Sequence, residues 1–102
     1  MENIHLDIKP KVVTLTITRE HAGNMFDLSM IHAMTQHIHT FSTDAYCIVI
    51  RGAGADFCRG RDPSTAGAHP TPMALRDNLL LPIMDLYDAI KSSKIPVIAV
   101  VQ

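Results

Sequence analysis

Between Val12 and Thr18 the chain reads VVTLTIT, with Leu15 and Ile17 set against Thr14, Thr16 and Thr18. A period of two with β-branched residues predicts a strand buried on one face. Ile4–Ile8 (IHLDI) alternates as well, and Pro10 separates the two runs, so the pattern predicts an antiparallel opening pair. Asp27 can cap a helix whose apolar positions, Leu28, Ile31, Met34, Ile38 and Phe41, recur in steps of three and four. A second helical stripe runs through Leu75, Leu79, Ile83, Leu86 and Ile90. Within it Pro82 either kinks the helix or opens a new first turn, and Lys91 and Lys94 suit its C-terminal dipole. Ala45–Ile50 and residues 95–101 (IPVIAVV) are apolar without alternation, which predicts strands covered on both faces.

Strand, glycine-rich loop, long helix and strand in that order require a crossover between parallel strands, so the fold class is α/β. Three prolines with Ser, Thr and Gly make Asp62–Pro72 a surface loop. The last strand runs straight to Gln102. Ligands of open α/β sheets gather in loops beyond the carboxyl ends of strands. The reading expected for residues 1–102 is therefore a fragment of something larger. Strand 95–101 would then show an apolar edge or face without cover, a predicted site of self-association.

At 47% hydrophobic and 19% charged, the composition is that of a globular chain. A net charge of -1 gives no electrostatic footprint for nucleic acid or an anionic membrane, and no apolar run approaches the ~20 residues that span a bilayer. MENIHLDIKPK lacks the regions of a signal peptide, and the expected location is cytoplasmic. Cys47, inside AYCIVI, reads as a small buried hydrophobe. Of six histidines, none forms an HxxxH pair, and His32 and His39 fall beside the apolar stripe on the solvent side.

The most suggestive segment is GAGADFCRGRD, Gly52–Asp62. As a dinucleotide fingerprint it fails, because Phe57 stands where the third glycine belongs and no helical period follows. Asp56 and Asp62 sit among turn formers, where Asp serves local hydrogen bonds, and Ser64 lacks a nucleophile-elbow context. Cys58 lies in the loop with no basic partner that sequence can locate. Two readings stay open on residues alone: a loop offering backbone N–H groups to an oxyanion, or a turn whose glycines only satisfy positive φ.

Three segments, TITREHAGNMF (16–26), IVIRGAGADFCRGRD (48–62) and KIPVIAVVQ (94–102), stand in the order found in one family. The chain resembles the N-terminal part of the enoyl-CoA hydratase/isomerase, or crotonase, superfamily. That resemblance implies a spiral of ββα units, assembled as trimers or dimers of trimers, and an enzyme acting on acyl-CoA thioesters by hydration or double-bond shift. It implies a thioester enolate held by two backbone N–H groups, the first from Arg61. It places CoA contacts at His21, Ala22 and Gly23 and at Arg59, Gly60, Asp62 and Pro63. CoA is then part of the substrate, no separate cofactor or metal is implied, and neither membrane nor nucleic acid is a partner. Arg59, Arg61 and Met25 depart from the family's smaller residues, but a main-chain donor tolerates any side chain. The second donor and the acid/base carboxylates would follow Gln102, so residues 1–102 alone are expected to be inactive. The alternative implied is a non-catalytic CoA-binding or assembly fragment.

Overall fold

The alternating run at 12–17 becomes the second strand of a four-stranded sheet. The structure, a computed structural model, describes residues 3–9, 11–43, 45–60 and 71–101. Strands β1 (Ile4–Lys9), β2 (Val12–Ile17), β3 (Cys47–Gly52) and β4 (Val97–Val100) lie in the order β1-β2-β3-β4. β1 pairs antiparallel with β2, with Leu6 opposite Leu15, as the opening-pair pattern predicts. β2 pairs parallel with β3 and β3 parallel with β4, each through a helical crossover. The α/β expectation is met.

Helix α1 (Leu28–Phe41) starts at Asp27, whose carboxylate accepts from Met30 N–H at 2.9 Å and satisfies a donor no helical carbonyl can reach. Its buried face is Met30, Ile31, Met34 and Ile38, and the flanking Leu28 and Phe41 of the predicted stripe are only half-buried. The second stripe is split. Helix α2 (Pro72–Leu75) leads into a π turn (Arg76–Leu80), then helix α3 (Leu81–Ser92). Leu81 N–H donates to Arg76 O, five residues back, and Pro82, which has no N–H to give, sits in the first turn of α3. Of the two roles open to Pro82, the new first turn is the one observed.

α1 and α3 cover one face of the sheet. Val13, Leu15 and Ile17 of β2 and Ile48 and Ile50 of β3 meet Met30, Ile31, Met34 and Ile38 of α1 and Leu86 and Ala89 of α3 in one core. Fully burying each large side chain is worth about 1.5–3 kcal/mol, and this layer orders the fold.

Two expectations are corrected. β3 and β4 are not covered on both faces among the described residues. β3 buries Ile48 and Ile50 but leaves Cys47 and Val49 half-exposed, and Ile98 and Val100 of β4 are 47% and 49% exposed. An unbroken apolar run reports how apolar both faces are, whereas cover depends on a second layer, and the described helices supply only one. Cys47, on the uncovered side, is accordingly not a buried hydrophobe. His32 and His39 are exposed, on the solvent side of α1. The predicted 62–72 loop falls, apart from its last two residues, outside the described residues.

Candidate functional site

Because β2 and β3 are parallel, with Ile17 beside Gly52, the segments that follow them leave from the same end of the strands. After β2 comes a 3-10 turn, Glu20–Ala22, closed by Gly23 (φ 61) and Asn24 (φ 55), two successive left-handed residues. After β3 comes the glycine loop. Gly52 is buried against that loop, and a Cβ there would collide with the Asp56 and Phe57 carbonyls and meet Asn24 Nδ2 at 2.8 Å. The loop can fold back over the strand end only because position 52 has no side chain.

Backbone and side chain then knit the two segments together. Ala53 N–H donates to Ile17 O (2.9 Å), Arg59 N–H to Gly23 O (3.1 Å) and Phe26 N–H to Gly60 O (2.8 Å). Between them sits Asn24, the one buried polar side chain among the described residues, at 0% exposure. Its Oδ1 accepts from Arg19 N–H (2.9 Å), while Nδ2 donates to Ala53 O (2.9 Å) and Asp56 O (2.6 Å). Both amide hydrogens and the amide oxygen are thus used, which fixes the amide's orientation: turned over, it would set its oxygen against two carbonyls.

The predicted site residues divide accordingly. His21 is exposed and Ala22 and Gly23 half-buried on the turn, while Arg59 and Gly60 lie on the loop. The structure joins Gly23 to Arg59 by the backbone bond and packs the Arg59 side chain over the Gly23 Cα. The Arg59 guanidinium stands 3.9 Å from the Asp56 carboxylate with both side chains well exposed, a pairing that contributes little in water. Gly60 has φ 104, and a Cβ there would meet nothing within 4 Å among the described residues. Cys58 Sγ accepts from Gly60 N–H at 3.4 Å. Arg61, Asp62 and Pro63 lie outside the described residues.

Beside Gly60 opens an apolar cleft of about 320 Å³ lined by Phe26, Ile31, Phe57, Cys58, Ile83, Leu86 and Tyr87. Its walls come from the start of α1, the loop and one side of α3. It suits an apolar chain whose polar end points to the loop. Sequence reasoning missed both this cleft and Asn24. The Gly23-Asn24 pair was a local signal for a left-handed turn, but nothing local names the partners of Asn24. Among the described residues no three of His, Cys, Asp and Glu gather to hold a metal, and no helix is long and apolar enough to cross a membrane.

Comparison with known proteins adds three findings. The sequence model of the family described as enoyl-CoA hydratase/isomerase matches residues 7–102. A curated relative from Rhodobacter capsulatus, named a probable enoyl-CoA hydratase, is 30% identical over 98 residues, covering 96% of this chain and 37% of the relative. Among solved structures, an enoyl-CoA hydratase of Mycobacterium smegmatis superposes with a TM-score of 0.88 at 29% identity, over 97% of this chain and 39% of that one. Pseudomonas aeruginosa AtuE does so with 0.91 at 25% identity, over 99% of this chain and 40% of that one. The chain thus spans less than half the length of the proteins it matches.

Proposed function

The chain belongs to the enoyl-CoA hydratase/isomerase family, and from that premise we propose that it forms the acyl-CoA-binding part of an enzyme that hydrates an enoyl-CoA or shifts its double bond. The observation that carries this reading is the apolar cleft opening beside Gly60, at the carboxyl end of β3.

In hydration, water adds to the carbon β to the thioester carbonyl and the electron pair moves onto the carbonyl oxygen as an enolate. A proton at the α carbon then completes the product. The oxygen needs donors where its charge develops, and one such donor is worth about 2.7–4 kcal/mol in comparable sites. Arg61 N–H, next after Gly60, is the donor we assign, and the acyl chain lies in the cleft against Phe57, Ile83 and Leu86. The CoA moiety runs past His21, Ala22 and Gly23 and past Arg59, Asp62 and Pro63. Arg59 is free to leave its weak pairing with Asp56 for a CoA phosphate, a group that arginine grips well. The second donor and the carboxylates that move the protons belong to sequence beyond these residues, so residues 1–102 by themselves are expected to give no turnover. We place the whole protein in the cytoplasm as a trimer or a dimer of trimers.

The test is hydration of crotonyl-CoA by the full-length protein, followed as loss of the conjugated thioester absorbance, with calorimetry for CoA. Turnover supports the proposal. CoA binding without turnover supports a binding module instead, and neither turnover nor binding overturns the reading.

A further inference from the structure

We propose that Asn24 is a positioning residue that couples grip on the CoA moiety to alignment of the oxyanion loop; the inference rests on the function proposed above. The turn Arg19–Asn24 and the loop Ala53–Gly60 are separate in sequence; Arg59 N–H bonds to Gly23 O, the Arg59 side chain packs over Gly23, and the Asn24 side chain bonds to Ala53 O and Asp56 O. The backbone bonds of Arg59 to Gly23 and of Phe26, just after the turn, to Gly60 hold the far end of the loop, while Ala53 N–H ties its near end to Ile17 of β2 rather than to the turn. Asn24 holds its near end at two carbonyls, Ala53 and Asp56, and holds its own turn through Arg19 N–H. The loop is therefore fixed at both ends to the turn that carries His21, Ala22 and Gly23. A ligand that orders the turn orders the loop in the same act. Binding energy from the part of the substrate remote from the reacting bond is thereby spent on donor alignment, which raises kcat rather than only lowering KM.

The isosteric variant Asn24→Asp separates the two connections. It keeps an oxygen for Arg19 N–H and tolerates the left-handed backbone, but offers no donor to Ala53 O and Asp56 O. In the full-length protein, kcat is compared for crotonyl-CoA and for the truncated crotonyl N-acetylcysteamine thioester. The expected result is a loss of about tenfold or more on the CoA ester with little change on the truncated one, so that the preference shrinks by the same factor. An equal loss on both substrates marks a purely structural role and overturns the inference, as does no loss on either. Amide hydrogen exchange on the wild-type protein with added CoA decides the matter even where the variant fails to fold. Slowed exchange in both Glu20–Asn24 and Ala53–Phe57 supports coupling, and slowing confined to Glu20–Asn24 overturns it. Wild-type protein that binds CoA but turns over neither thioester defeats the enzyme reading while leaving this exchange result to decide the coupling.

Discussion

Leu15 and Ile98 belong to the same sheet and are similar in size and hydrophobicity, yet Leu15 is sealed at 0% exposure and Ile98 is half open. Leu15 points to the face that α1 and α3 cover, and Ile98 to the face that none of the described residues covers. The difference lies in the layer opposite, since both strands are rich in β-branched residues. The loop at the carboxyl end of β3 repeats the contrast on a smaller scale. Gly52 is walled in by carbonyls at the strand end, whereas a Cβ on Gly60, eight positions on, would meet nothing within 4 Å among the described residues. The enclosed half of each pair builds the fold, and the other half is left uncovered by the described residues.

Substitutions in the 102-residue chain, read by urea unfolding, can break this contrast. Leu15→Ala removes a fully buried side chain and is expected to cost about 2–5 kcal/mol. Ile98→Ala, the matched change on the open face, should stay within about 0.5 kcal/mol. Losses of equal size would show that the outer face is covered in solution, by another copy or by residues of this chain outside the described ones. Between those limits fall the glycines. Gly52→Ala forces the loop away from the strand end and should cost about 1–3 kcal/mol. Gly60→Ala meets no atom of the described residues and carries the strain of its positive φ, about 1–2 kcal/mol. A larger loss at Gly60 than at Gly52 would reverse the assignment of enclosed and open positions.

Much of the fold was legible because its signals are local. The two-residue period gave β1 and β2, the Asp27 cap gave the start of α1, and the Leu79 to Ile90 stripe gave the helix that closes the core. What the chain hid was relational. An unbroken run such as VIAVV looks the same whether or not a second layer covers it. Asn24 reads as an ordinary turn residue, since its two carbonyl partners lie 29 and 32 positions away. The cleft likewise draws on residues from three segments, and Tyr87, off the apolar stripe of α3, has no local mark of a lining role. Conversely, the family motif GAGADFCRGRD singled out the loop without showing that its first glycine is walled in by carbonyls while a Cβ on its third would meet none of the described residues.

The central claim is that the main chain at position 61, and not the arginine side chain, supplies an oxyanion donor. Hydration of crotonyl-CoA by the full-length protein, with wild type compared with Arg61→Ala and Arg61→Pro, tests it most directly. Alanine keeps the N–H and should hold kcat within about threefold, while proline removes it and should lower kcat about 10²–10³-fold with CoA still bound. An alanine variant as impaired as the proline variant, or a proline variant that turns over normally, would contradict the account.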